Sequence, residues 1–295
     1  MKEMTGPELL ALLRSRKGSL RASREEGRRE FSRLYHEFDS GQPLRLEPVQ
    51  AGGVPGLWIA APEARQDRAV LFFHGGGFMN GSADDHGELC GHLSRLTRAR
   101  VLSLNYRLAP ENPFPAAVED GHAAYAWLIR QGLGPDNVAL AGISAGGTLA
   151  LATMLKAKQT GLPLPAAGLL MSPAPNMRFP GASIKANAAT DWLTPDRLGA
   201  IQKLYLAGHD PDDPLASPVR GDLRGLPPLL VQAGEAELLV DDVLALATAL
   251  RQAKARARLS VWPGMFHSWQ IYSLVLAPGR EALREAGKFL AGHLA

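Results

Sequence analysis

At 295 residues the chain is long enough to bury a sizeable core, and one large α/β domain with an appendage suits it better than two equal domains. Its 46% hydrophobic and 21% charged residues are ordinary for a globular protein, and the net charge of +3 is spread along the chain, which argues against a nucleic-acid surface. A single cysteine, Cys90, excludes an internal disulfide and a cysteine-based metal site, and no run approaches the ~18 uninterrupted apolar residues that span a membrane.

The first 42 residues read as helical. Acids and arginines interrupt the short apolar run of MKEMTGPELLALLRSRKGS, so it lacks the apolar centre of a signal peptide and the expected location is cytoplasmic. The sign-alternating stretch 21–30 reads as a solvated helical face. Two weaker strands, 44–49 and 57–61, are expected as an antiparallel edge. Apolar runs then alternate with helical patterns. Strands are expected at 69–73, 99–104, 137–141, 168–172, 228–232 and 259–262, and helices at 85–97, 116–130, 145–158, 242–253 and 281–291. That alternation means βαβ crossovers and a mostly parallel sheet flanked by helices. Cys90, inside the first of these helices, reads as a buried structural thiol. The last strand should lie at a sheet edge, along which two copies could pair as a homodimer.

One internal segment breaks the alternation. From 173 to 214 the chain leaves a strand, runs through a Pro/Gly/Asn-rich stretch and forms a helix over 195–206. Long excursions between sheet strands usually carry function. The expected organisation is a core of 43–172 and 213–295, with 1–42 and the insertion 173–212 packing together as a cap over the C-terminal edge of the sheet.

The chemistry concentrates in a few stretches. Gly142-Ile-Ser-Ala-Gly146 has the G-x-S-x-G spacing between an apolar strand and a helix, where a tight, strained turn lifts a serine hydroxyl above a sheet. The small residues around Ser144 let the turn form and leave room for a substrate carbonyl, while the helix N-terminus favours developing negative charge. Phe72-Phe-His-Gly-Gly-Gly-Phe78 follows another apolar strand, and its glycines can turn several N–H groups toward one point. Such donors stabilise a tetrahedral oxyanion, one being worth roughly 3 kcal/mol, and they are assigned to Gly76, Gly77 and Ala145. A phosphate loop would need a lysine or a G-x-G-x-x-G helix start, and neither is present. His74 reads as a hydrogen bonder that holds this loop in shape.

A serine nucleophile needs a base. In hydrolases with this strand–serine–helix turn the chain order is serine, acid, histidine. That sets aside His74, His86, His92 and His122, which precede Ser144. His209 precedes the strand after which the acid is expected, and His293 falls in the last helical turn. His267 remains, in Trp262-Pro-Gly-Met-Phe-His-Ser-Trp269, directly after the last strand. The acid should follow the strand at 228–232, where Glu235, Glu237, Asp241 and Asp242 stand. The two aspartates look like helix-entry residues that cap N–H groups, which leaves Glu235 and Glu237.

The stretches HGGGF (74–78), YRLAPENPFPAAVED (106–120), GISAGG (142–147), DPLASP (213–218), PPLLVQAGEAELLVDD (227–242) and GMFHSW (264–269) together resemble the hormone-sensitive-lipase family of α/β-hydrolases, in its bacterial esterase branch. The likeness runs from about residue 70 to the C-terminus. It implies an α/β-hydrolase fold with a helical cap, a Ser–acid–His triad and an HGGG-type oxyanion hole. It also implies hydrolysis of short- to medium-chain carboxylic esters without a cofactor. Carried over by position, Ser144 is the nucleophile, His267 the base, Gly76, Gly77 and Ala145 the oxyanion donors, and Glu237 the acid where many relatives have Asp. Ile143 departs from the family's usual G-D-S-A-G-G and removes a carboxylate beside the nucleophile.

A serine carboxylesterase acting on a small-molecule ester is therefore the expected activity, with no metal: no His/Cys/Asp/Glu set has close zinc-site spacing, and Ser144 supplies the nucleophile. Phe78, Trp192, Leu193 and Leu204 are candidate substrate-pocket residues. Three other activities would use the same fold: an amidase or arylformamidase, a lipase acting on long-chain triglyceride, and a non-catalytic small-molecule receptor. The last would usually have lost a triad member, and this chain keeps all three.

Overall fold

The computed structural model describes residues 2–16, 24–38 and 40–295. Residues 21–23 of the sign-alternating stretch, and parts of the expected helical segment 1–42, lie outside the described residues. Residues 24–30 of that stretch open helix α2 (Arg24–His36) and are exposed or half-buried, while Phe31 and Tyr35 on the same helix are buried. Helix α1 (Gly6–Ser15) starts at a capping box made by Thr5 and Glu8. Its Leu9 and Leu13, one turn apart, sit in the same apolar cluster as Met265 and Phe266.

Among the described residues, eight strands form one sheet. They are β1 (Arg45–Ala51), β2 (Val54–Ala60), β3 (Arg65–Phe73), β4 (Ala99–Leu104), β5 (Val138–Ile143), β6 (Ala167–Met171), β7 (Leu229–Gly234) and β8 (Ala257–Trp262), in the spatial order β1-β2-β4-β3-β5-β6-β7-β8. β1 pairs with β2 and β2 with β4 in antiparallel fashion, and every other pair is parallel. The antiparallel edge and the position of the final strand at the opposite edge follow the sequence expectation.

Helices cover both faces. Side chains of β3 alternate across the sheet. Leu71 and Phe73 join the cluster that includes α4 (Ala116–Arg130), α5 (Ala145–Gln159) and α8 (Val240–Gln252); Val70 and Phe72 join the one that includes α3 (Gly87–Thr97) and α9 (Ala277–Ala291). All four are 0% exposed, and such burial stabilises by roughly 1.5–3 kcal/mol per side chain. Cys90 lies buried in α3 as a free thiol, its pKa pushed up by burial. Ile143 is buried in the second cluster, so an apolar side chain fills a core position there.

Element ends differ where turn residues act as helix starters. α9 begins four residues before the expected 281 because Pro278 sits in its first turn, where a missing N–H costs nothing. β3 begins at Arg65 because its charged first residues extend the strand while staying exposed or half-buried. The segment 173–212 holds a short helix α6 (Ser183–Ala186), which periodicity cannot register, and α7 (Pro195–Leu206) over the expected span. Arg14 on α1 ties to this segment, donating through Nη2 to the carbonyls of Asp191 (2.7 Å) and Ala188 (3.3 Å). Among the described residues, no helix is long and apolar enough to cross a membrane.

Candidate active site

Ser144 occupies the turn between β5 and α5 with φ 55° and ψ −123°, a left-handed backbone that few non-glycine residues adopt. Two glycines make the turn sterically feasible. A Cβ at Gly142 would overlap the Gly146 carbonyl, and one at Gly146 would overlap the Phe73 and His74 carbonyls. These clashes are with backbone, which cannot swing aside. Gly146→Ala should therefore destabilise the fold by about 4 kcal/mol or more, beyond the range of ordinary substitutions. Thermal unfolding of the purified variant checks this, and a melting point near wild type would contradict the packing.

His267 lies on the loop after β8. Its Nε2 is 2.8 Å from Ser144 Oγ and its Nδ1 is 3.1 Å from Glu237 Oε2. A carboxylate can only accept, so the ring proton belongs on Nδ1 and Nε2 accepts from the Ser144 hydroxyl. Glu237 is fully buried on the turn after β7. Its Oε1 accepts from Ser172 Oγ at 2.6 Å and from the Gly234 amide at 2.6 Å. Three elements of the sheet, β5, β7 and β8, thus deliver one side chain each to a single point above their C-terminal ends.

Gly76, Gly77 and Ala145 line the cavity beside Ser144. Their amides take no part in the backbone hydrogen bonds of the described residues, and Ala145 is the first residue of α5, where helix N–H groups lack internal partners. His74 is buried at the start of this loop. Its Nδ1–H donates to the Gly75 carbonyl at 2.7 Å, and its ring stacks on Tyr106 at 4.2 Å between centroids. Burial draws its pKa down to about 4, so the ring is neutral and serves the loop's shape.

A sequence-family model of the alpha/beta hydrolase fold matches residues 70–271. The crystal structure of an esterase from the bacterial hormone-sensitive lipase family is 41% identical and superposes with a TM-score of 0.95, covering 98% of both chains. The protein belongs to this family. The hydrolase is also 46% identical to an acetyl-hydrolase of Streptomyces hygroscopicus over 82% of its own length and 81% of the relative's. It is 34% identical to the esterase LipU of Mycobacterium tuberculosis over 82% of each chain.

Charge is tuned along the Ser144–His267–Glu237 chain. Burial pushes the Glu237 carboxyl up from its ordinary value, against the pull of His267 and Ser172. For His267, burial acts downward, but the hydrogen bond and charge of Glu237, with the Asp191 charge behind it, outweigh burial and leave the imidazole raised. A base must be neutral, so a raised pKa moves the loss of activity toward higher pH. For this hydrolase kcat/KM should be full above that pKa and fall on acidification, with a midpoint above the unperturbed ~6.5. A pH profile on a neutral ester checks it; activity holding level to ~5 on folded protein would remove His267 as the base.

The cavity encloses about 590 Å³ of empty space, open solvent at its mouth included. Phe78, Trp192 and Leu193 line it, and the Trp192 Nε1–H donates to the His267 carbonyl at 2.7 Å. Leu204 does not line it, which corrects the sequence expectation. It shares a face of α7 with Arg197 and Ile201, which do, but stands seven residues beyond Arg197, roughly 10 Å along the helix axis and past the end of the cavity. Leu198 and Ile201 take the place expected for it.

Several contributors escaped sequence reasoning. Phe31 and Tyr35 of α2 reach the cavity from the far end of the chain, and only the tertiary fold brings them there. Ser172 gave no motif. Asp191 is 0% exposed; its Oδ1 accepts from the amides of His267 (3.1 Å) and Leu193 (3.3 Å), and its Oδ2 from the amide of Leu238 (2.8 Å). An acid beside a tryptophan, in a stretch with little regular structure, was its only signal.

Proposed function

We propose that the protein is a serine carboxylesterase that hydrolyses short- to medium-chain esters through an acyl-enzyme on Ser144. The observation that carries this reading is the unbroken chain from Ser144 Oγ through the His267 ring to Glu237, 2.8 and 3.1 Å, at the floor of an apolar cavity. His267 Nε2 takes the Ser144 proton as Oγ attacks the ester carbonyl. The amides of Gly76, Gly77 and Ala145 stabilise the resulting oxyanion. His267 then protonates the departing alcohol, and a water activated by the same nitrogen releases the acid. Glu237 holds the ring proton on Nδ1 and steadies the imidazolium. α2 and the segment 173–212 supply part of the cavity's wall, and with α1, tied to that segment through Arg14, they act as a cap. The relatives named esterase and acetyl-hydrolase support the substrate class.

A series of chromogenic esters from acetate to palmitate tests the reading, with a formanilide assayed alongside. The rate should peak among the shorter acyl chains, in keeping with the relative named acetyl-hydrolase. Turnover of the formanilide alone would make the protein an amidase using the same groups.

A further inference from the structure

The catalytic cavity is lined by one permanent charge, and nothing among the described residues neutralises it. Of the residues that line it, Arg197 is a cation and none is a carboxylate or a lysine. The other lining residues offer apolar side chains, small residues, Asn80, Tyr35 and the catalytic groups. Arg197 makes no ion pair and no side-chain hydrogen bond among the described residues. Its guanidinium carbon stands 5.9 Å from the centre of the Trp192 ring, at the outer limit of cation–π attraction.

Two physical effects work against a cation at this position. Arg197 is the third residue of α7, where the positive end of the helix dipole disfavours it. Protein surrounds the guanidinium closely enough that desolvation draws its pKa down. Its side chain is nonetheless exposed, so it stands in an open cleft rather than in packed core. Several other arginines of the protein have an acidic partner. Arg107 meets Asp120 at 2.7 Å, Arg178 meets Asp212 at 2.6 Å and Arg28 meets Glu111 at 2.8 Å. Tyr35, which also lines the cavity, lies close enough for its phenol and the guanidinium to feel each other's charge. A guanidinium and a phenol O–H facing one cleft form a donor set suited to a carboxylate.

We propose that Arg197, with Tyr35, forms an anion subsite at the mouth of the cavity, and that the preferred substrates are esters bearing a free carboxylate remote from the scissile bond. This rests on the esterase reading above and narrows its substrate class. Two substrate pairs locate the charge. Monomethyl adipate against methyl hexanoate places it on the acyl side, and 4-acetoxybenzoate against 4-methylphenyl acetate on the alcohol side.

The readout is the ratio of kcat/KM for the charged over the neutral member of each pair. In at least one pair, Arg197→Met should lower that ratio about tenfold, mostly through KM, as loss of a charge-assisted contact made equally in ground and transition states requires. Arg197→Lys should retain part of it, and high salt should erode it in the wild type. A purely structural arginine would depress both members of a pair together. Ratios that stay within about twofold of wild type in both pairs would overturn the subsite while leaving the esterase reading intact. Wild-type protein inert toward all four esters, charged and neutral, would instead overturn the esterase reading. The subsite remains testable even then, because calorimetric binding of the same pairs to Ser144→Ala protein, with and without Arg197→Met, reads the ratio as dissociation constants.

Discussion

Ser144→Ala should lower ester turnover about a millionfold while leaving the protein folded. The hydroxyl is the only atom removed, and its one side-chain hydrogen bond in the structure is to His267 Nε2. The left-handed backbone at φ 55° is held by Gly142 and Gly146, not by the side chain, so alanine inherits the same turn. Thermal unfolding should match wild type, and a burst of chromogenic alcohol should vanish together with steady-state hydrolysis. A variant keeping roughly a tenth of the wild-type rate would exclude Ser144 as nucleophile, since loss of such a group costs orders of magnitude more.

Glu237→Gln should lower kcat by about 10⁴, the size of an acid-to-amide change in a comparable triad. The reason is visible in what surrounds the carboxylate. Both oxygens only accept: Oε1 from Ser172 and the Gly234 amide, Oε2 from His267 Nδ1. A glutamine must turn its NH₂ toward one of these donors. Either the two donors at Oε1 face an amide, or His267 moves its proton to Nε2 and can no longer accept from Ser144. Glu235 is exposed and accepts from the Gly264 amide at 3.1 Å, and Asp241 accepts from the Ser183 amide at 2.8 Å, both away from the imidazole. Glu235→Gln and Asp241→Asn should each stay within about tenfold of wild type, as changes outside such a network usually do. A crippled Asp241→Asn beside a near-normal Glu237→Gln would move the acid assignment while the serine-hydrolase reading stood.

Legibility in the sequence tracked the range of the interaction involved. The parallel core was readable because each buried strand is a local apolar run, and the Ser144 turn because its glycines and serine lie within five residues. The acid was narrower ground. Glu235 and Glu237 differ by two positions on one short turn, and nothing local says which of them the His267 ring will meet. The outer wall of the cavity was the least readable part. Phe31, Tyr35, Arg197 and Ile201 converge from elements more than 150 residues apart, and their spacing within each helix is what any amphipathic helix would show. Leu204 failed for a related reason: helical periodicity fixes the face a residue occupies but not how far along the axis a cavity extends.

Asp191 sets a limit on how this enzyme can be remodelled. It belongs by sequence to the segment that walls the cavity, yet its carboxylate is bonded to the backbone amides of His267 and of Leu238, the neighbour of Glu237. The wall and the two loops that carry His267 and Glu237 are therefore one mechanical unit. Single substitutions on the cavity face of α7 leave that carboxylate in place, so selectivity can be altered residue by residue. A transplanted segment lacking an acceptor at this position would leave two buried amides unpaired, at about 1–3 kcal/mol each, and would loosen these two loops along with the pocket. Specificity in this scaffold is open to gradual revision and resistant to modular exchange.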